Sequence, residues 1–363
     1  MTLLADPRRR TLAILGGIAL LCIALAALAL WRQASELAPA GGGSLFVPGL
    51  ASHMREATRI HIATKKGSFD IVFHPNRGAR SPWVIAQKSD YPASFSEVNK
   101  TLLDLAGLKT IEPKTAQPEW FHYVDLDAPP KGGGTEITVT DEKGGVLASL
   151  IVGKSEDIGD PGGATGLIVR RPNENQSWLV RSESEFQADV DGWLDKTVLD
   201  LDPTRVQSTV VTAPDGKSYE AVRDAKTDAH FKLAAIPAGR TLSNEGAPDS
   251  PADALTGFSF EDVKPANTVD FSNAAHLKTR TFDGLQIDAA IAKVGAEYWV
   301  TLDTESVGNN PAVAKEARSI DARANGWAYK VADYKGAQLT TPLESLLAPK
   351  GGAKPAATPV PEQ

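Results

Sequence analysis

Residues 58–73, TRIHIATKKGSFDIVF, decide the fold. Apolar side chains occupy alternate positions in both halves of this stretch: Ile60, Ile62, Phe69, Ile71 and Phe73. A period of two residues is typical of a half-buried β-strand, and Gly67 between the halves is typical of a turn. The stretch therefore predicts a β-hairpin with one face against a core.

The hairpin pattern continues downstream and recurs about 150 residues later. The first copy predicts a helix at 94–106 and strands at 58–62, 69–73, 83–85, 135–140, 146–152 and 177–180. The second copy predicts strands at 208–212, 219–222, 230–233, 277–282, 285–292 and 298–301. The helix end at 105–108 has a counterpart at 255–258, and each copy closes on Gly-Trp, at 192–193 and 326–327.

We therefore predict an α+β fold, in which an N-terminal transmembrane helix precedes two similar antiparallel-sheet-plus-helix repeats. The first repeat is placed at 45–202 and the second at 203–347. Two unrelated meanders that share common turn residues are the alternative.

An unbroken apolar run extends from Thr11 to Trp31. At about 1.5 Å rise per residue, a helix of this length spans the roughly 30 Å hydrocarbon core of a bilayer. The basic segment 1–10 precedes the run and should stay cytoplasmic because of its arginines, Arg8, Arg9 and Arg10. We predict a single-pass protein of the inner (cytoplasmic) membrane with its bulk in the periplasm. A cleaved signal with its site at 38–40 is the alternative, and it exports the same domain.

The two end segments of the exported part contain too few apolar residues to form a hydrophobic core. Residues 32–44 are small and Gly-rich, which predicts a flexible spacer. Residues 348–363 are rich in Pro, Ala, Gly and Lys, which predicts a disordered tail.

The charge and cysteine content exclude several functions. A formal net charge of −7 argues against a nucleic-acid partner. Cys22, the one cysteine, lies in the apolar run, so the exported part has no disulfide, no thiol nucleophile and no Cys-ligated metal. The acidic segment 183–202 is interpreted as a solvated face, with a docking patch as the alternative.

No catalytic, cofactor-binding or metal-binding residue is predicted. Gly153-Lys154-Ser155 ends like a phosphate-binding loop, but Ala148 stands where that motif needs a glycine, so we interpret it as a turn after a strand. The histidines lack metal-ligand spacing, and the polar loop at 157–163 lacks the spacing of a calcium loop. Core packing, rather than a ligand cleft, is the interpretation for the tryptophans Trp83, Trp120, Trp178, Trp193, Trp299 and Trp327.

Several short motifs resemble one family, and they occur in the family's order. They are Leu45-Phe46-Val47-Pro48-Gly49-Leu50, Arg59-Ile60-His61-Ile62, Trp83-Val84, Tyr91-Pro92-Ala93, Leu102-Leu103-Asp104-Leu105-Ala106, Leu150-Ile151-Val152-Gly153-Lys154, Ile168-Val169-Arg170-Arg171, Ser177-Trp178-Leu179-Val180 and Trp193-Leu194-Asp195. The set is similar to the family called domain of unknown function 4340, and the resemblance extends from Leu45 to about Leu347. It implies a membrane-anchored exported protein, often encoded beside an ABC-type transporter and a gliding-motility-type auxiliary protein.

Three functions follow from these observations. The first is a non-enzymatic accessory component of an ABC-type transporter or envelope system, with a transporter permease or auxiliary protein as its partner. The second is a periplasmic ligand- or lipid-binding module that uses a cleft between the repeats. The third is an envelope hydrolase with acidic catalytic residues, which requires a buried carboxylate pair. No cofactor is expected.

Overall fold

The computed structural model of the chain describes residues 43–75 and 80–349. The predicted membrane segment from Thr11 to Trp31 lies outside these residues. So do Arg8, Arg9 and Arg10, the spacer up to residue 42 and the tail from residue 350. Among the helices of the described part, none is long and apolar enough to cross a bilayer.

Strands are the commonest regular element of the described chain. The strands are β1 Ala57–Thr64, β2 Gly67–Phe73, β3 Trp83–Ile85, β4 Tyr91–Pro92, β5 Lys109–Pro113, β6 Thr135–Asp141, β7 Val146–Glu156, β8 Thr165–Arg170, β9 Ser177–Ser182, β10 Val206–Thr212, β11 Ser218–Val222, β12 Lys232–Leu233, β13 Asp262–Pro265, β14 Ala275–Thr281, β15 Leu285–Val294, β16 Glu297–Ser306 and β17 Trp327–Val331. The helices are α1 Leu50–His53, α2 Phe95–Gly107, α3 Asp249–Ala252, α4 Pro311–Ala324, α5 Asp333–Leu339 and α6 Leu343–Leu346.

Two antiparallel sheets share one strand order. The first sheet has the order β4-β3-β2-β1-β6-β7-β8-β9-β5, and the second has β12-β11-β10-β14-β15-β16-β17-β13. The two orders coincide when β1, β2 and β3 are matched with β10, β11 and β12, and β5 to β9 with β13 to β17 in turn. Strand β4 has no counterpart. The α+β fold with antiparallel sheets is confirmed, and the shared order agrees with the predicted internal repeat.

Two of the predicted matches between the copies are wrong. The sheet order makes β8 the counterpart of β16, so the strand of Trp299 does not correspond to β9, the strand of Trp178. The counterpart of β9 is β17, which begins at Trp327, whereas Trp193 lies in the short 3₁₀ turn Val190–Trp193. Strand β8 is buried on both faces, so its sequence lacks the alternation that marks a half-buried strand.

By its contacts the chain divides into two compact units. One contains the described residues up to Asp70 together with Asn99–Ala188, and the other contains Ile71–Val98 together with the residues from Asp189 onward. The repeat boundaries 45–202 and 203–347 stay a prediction.

The first unit has a core built from the alternating face of its strands. Ile60 and Ile62 of the opening hairpin are fully buried, as are Ile137 and Val139 of β6. A second buried cluster includes residues of β7, β8 and β9 and consists of Phe121, Leu126, Ile151, Ile168 and Leu179. The hairpin predicted from residues 58–73 is confirmed, because β1 and β2 are neighbours in the sheet and Ile60 and Ile62 are buried.

The second unit contains α4, which the sequence did not predict. The Asn310 side chain caps this helix by accepting a hydrogen bond from the backbone N–H of Ala312. The buried face has the spacing of an amphipathic helix: Val313, Ala317, Ile320 and Ala324. The helix packs on β16 and ends beside β17, which brings its last turn to the polar cluster described next.

Candidate functional site

The candidate site is a polar network around Arg80 in the second unit. Its Nε donates to Asp195 Oδ2 at 3.0 Å, and its Nη1 donates to the carbonyl oxygen of Arg323 at 2.7 Å. Its Nη2 donates to the Tyr91 hydroxyl at 2.8 Å and to the Asp195 carbonyl at 3.2 Å. These hydrogen bonds hold a side chain that is only 14% exposed. We call this set of four residues the Arg80 network.

Tyr91 is the fully buried centre of the Arg80 network. Its hydroxyl donates to the Asp195 carbonyl at 2.9 Å, and its ring packs edge-on against Trp327 with ring centres 4.9 Å apart. Burial raises the pKa of Tyr91 and also that of the neighbouring Tyr329, so both phenols stay protonated at neutral pH.

Arg80 also keeps its charge. Burial by itself lowers the pKa of Arg80, but Tyr91 and Asp195 favour the charged form, and the net direction is upward. The guanidinium carbon lies 4.9 Å from the centre of the Tyr91 ring, which adds a cation–π contact to the hydrogen bonds.

Asp195 is held by both its main chain and its side chain. Its backbone N–H donates to the Pro92 carbonyl at 3.0 Å, which ties this segment to β4. Carboxylate Oδ1 accepts from the backbone N–H and the hydroxyl of Thr197, and Oδ2 accepts from Arg80 Nε. Both carboxylate oxygens are therefore engaged.

Arg323 contributes through two different groups. Its carbonyl, in the last turn of α4, accepts from Arg80 Nη1 and from the Tyr329 hydroxyl at 3.2 Å. The last carbonyls of a helix lack hydrogen-bond donors within the helix and are stabilised by a nearby cation. Arg80 supplies both the donor and the positive charge. The Arg323 guanidinium donates from Nε to the Val198 carbonyl at 3.1 Å and from Nη1 to Ser319 Oγ at 2.9 Å.

A pocket of about 580 Å³ opens beside the Arg80 network. It is lined by the segments 80–82 and 94–96 and by Asp195, Thr197 and Arg323. Arg323 belongs to the second predicted repeat, and the other lining residues belong to the first. Volumes of this size are usual for small-molecule sites. The hydrolase alternative requires a carboxylate pair, and the lining of this pocket contains Asp195 alone.

The acidic segment 183–202 is mostly the solvated face that the sequence predicts. Six of its carboxylate residues are exposed: Glu183, Glu185, Asp189, Asp191, Asp200 and Asp202. For Asp195 the interpretation is wrong, because its side chain is 15% exposed and paired with Arg80. An Asp and a Thr two residues apart are typical of a local side-chain turn. Nothing in the local sequence indicates that Arg80 is the ion-pair partner of Asp195.

The other sequence candidates lie away from this pocket. Gly153-Lys154-Ser155 is wrongly interpreted as a turn, since all three residues lie inside β7. Gly153 is required there because a Cβ at this position would lie 2.1 Å from the Val124 carbonyl oxygen. In the polar loop, Asp160 Oδ2 accepts from Arg181 Nε at 2.6 Å, and this hydrogen bond lowers the pKa of Asp160. Residues 43–75 and 80–349 contain no group of three or more side chains suited to a metal ion.

The tryptophans range from core to surface, and Trp178 and Trp327 are partly buried. Core packing is confirmed for the nearly fully buried Trp83, Trp193 and Trp299. It is wrong for Trp120, which is 55% exposed and lies beside Tyr123, which is 65% exposed, with ring centres 6.4 Å apart.

The chain is an α+β protein with two antiparallel sheets that share one strand order. In its polar site, the charged groups of Arg80 and Asp195 are hydrogen-bonded to other groups of the protein. The profile of the domain of unknown function DUF4340 matches residues 83–283, more than half of the chain. The chain belongs to this family, and the matched range is narrower than the resemblance from Leu45 to about Leu347. Comparison with curated proteins and with solved structures gives no match.

Proposed function

We propose that the chain is a non-enzymatic accessory component of an ABC-type transporter or a related envelope system. In this proposal a helix at 11–31 anchors it in the inner membrane, and its body lies in the periplasm. The observation that carries the proposal is the apolar run after Arg8, Arg9 and Arg10, because its length and flanks are those of a single-pass anchor. The proposed partner is a permease or auxiliary protein in the same membrane.

The Arg80 network supports a binding role over a catalytic one. A general acid or base must reach a proton of its substrate. Asp195 instead uses both carboxylate oxygens to accept from Arg80 and Thr197, and Arg80 uses Nε, Nη1 and Nη2 on protein acceptors. Side chains bonded in this way hold the surrounding surface in one shape. A partner can recognise a surface of fixed shape.

Copurification from native membranes tests the proposal. The full chain, tagged at its C-terminus, is extracted in a mild detergent, and bound proteins are identified by mass spectrometry. A transporter permease is the expected partner. The matched control replaces residues 11–31 with an unrelated apolar helix of equal length, and the permease should still be recovered if the exported body makes the contact. Repeated absence of any transporter subunit with the native chain would contradict the accessory role.

A ligand-binding module is the second candidate, and the pocket of about 580 Å³ beside Arg323 is the observation that favours it. A thermal-shift screen of the full chain against small molecules tests this candidate. We expect at least one compound to raise the melting temperature in wild type and to fail in Arg323→Gln. A screen in which no compound changes the melting temperature would exclude the module.

A further inference from the structure

The residues lining the pocket carry more positive than negative charge. The lining residues include two arginines, Arg80 and Arg323, and one acidic residue, Asp195. Asp195 is bound to Arg80. The Arg323 guanidinium donates to uncharged acceptors, the Val198 carbonyl and Ser319 Oγ. The lining therefore has one positive charge that its own carboxylate does not balance.

Hydroxyl groups add hydrogen-bond donors to the same lining. Ser94 Oγ and Ser96 Oγ lie 2.9 Å apart, so one of their two hydrogens makes the bond between them and the other remains to donate. Ser81 Oγ accepts from the backbone N–H of Trp83 at 3.2 Å and keeps its own hydrogen. The pocket thus combines a guanidinium with two further O–H donors.

We propose that this pocket binds a phosphate group. Guanidinium matches the geometry of phosphate oxygens with paired N–H donors, and charge-assisted hydrogen bonds of this kind are among the strongest in proteins. A tetrahedral phosphate also presents more acceptor oxygens than a carboxylate, which suits a lining with donors on several segments. Inorganic phosphate and a phospholipid headgroup offer the same chemistry. The inference rests on the second candidate function, the ligand-binding module, and names the class of its ligand.

The side chain of Arg323 can be changed without removing the hydrogen bonds of the Arg80 network. The network uses the carbonyl oxygen of Arg323, which every substitution retains. Arg323→Gln therefore removes the unbalanced charge from the pocket and leaves the acceptor for Arg80 in place. Arg318 lies on the same helix, is exposed and does not line the pocket. Arg318→Gln is the matched control with the same change of charge.

Titration calorimetry on the detergent-solubilised full chain tests the proposal with two probes, inorganic phosphate and a short-chain phosphatidylglycerol. We expect at least one probe to bind, with an affinity at least tenfold weaker in Arg323→Gln and within twofold of wild type in Arg318→Gln. Arg323→Lys keeps the charge but not the bidentate fork, and its affinity should lie between those of wild type and Arg323→Gln. This second variant also serves if Arg323→Gln does not fold.

The outcomes separate the source of the phosphate from the proposal itself. Binding of inorganic phosphate with the Arg323 dependence supports a free phosphate ligand, and binding of the lipid alone with the same dependence supports a headgroup. Failure of both probes, or equal affinities in Arg323→Gln and Arg318→Gln, overturns the phosphate site. If both probes fail but a compound without phosphate raises the melting temperature only with Arg323 present, the ligand class is wrong and the binding module stands.

Discussion

Replacing Arg80 by methionine is the most direct test of the Arg80 network. The substitution keeps a side chain of similar length and removes the guanidinium. Four hydrogen bonds are lost, to the carboxylate and the carbonyl of Asp195, the Tyr91 hydroxyl and the Arg323 carbonyl. The carboxylate of Asp195, 15% exposed, is left without its countercharge.

The structure sets the expected size of the effect. Removing one partner of a buried ion pair costs about 3–5 kcal/mol, because the other charge stays buried. Asp195 keeps two hydrogen bonds from Thr197 and some exposure, so the lower end applies. We expect Arg80→Met to lower the free energy of unfolding by about 3 kcal/mol. In the double variant with Asp195→Asn no charge is stranded, so the two losses should fall short of additivity by about 1.5 kcal/mol.

Urea unfolding followed by circular dichroism and tryptophan fluorescence measures these values. Arg318→Met is the control: it removes an exposed arginine from α4 and should change the free energy of unfolding by less than about 0.5 kcal/mol. A loss below about 1 kcal/mol for Arg80→Met, or strict additivity with Asp195→Asn, would refute the view that this pair stabilises the second unit.

Two further predictions concern the packing of α5 and one histidine. A Cβ on Gly336 of α5 would lie 2.1 Å from Tyr298 Cγ, so Gly336→Ala should destabilise by about 1–3 kcal/mol in urea unfolding; Gly107→Ala, where the Cβ meets nothing within 4 Å, should not destabilise. His230 Nδ1 lies 2.6 Å from Asp249 Oδ2, and this hydrogen bond raises the His230 pKa. The pair therefore stabilises fully below the unfolded pKa of about 6.5 and loses its contribution as pH rises through the raised folded pKa. An NMR titration should show the His230 pKa falling in Asp249→Asn, and an unchanged value would contradict this assignment.

The sequence predicts those parts of the fold whose pattern is local. The hairpin at 58–73 is visible because its isoleucines alternate with polar residues, and one face is buried. Strand β8 has no such alternation, since both of its faces are covered. Helix α4 buries two alanines among its four core residues, so its apolar face is weak in the sequence. Burial on two faces and small core side chains both remove the periodic signal.

The site could not be predicted because its residues meet only in the folded chain. Arg80 is separated by 115 residues from Asp195 and by 243 from Arg323. Sequence patterns report neighbours within a strand or a helix turn, and no motif connects positions so far apart. The sequence around Asp195 therefore does not distinguish it from the exposed carboxylates of the same segment.

At residue 323 the main chain and the side chain have different roles, so evolution can act on them separately. The hydrogen bonds from Arg80 and Tyr329 end on a carbonyl oxygen, which any amino acid supplies. The same residue lines the pocket. A relative with a different residue here should therefore keep the acceptor for Arg80 and Tyr329 and lose only the side-chain hydrogen bonds to Val198 and Ser319.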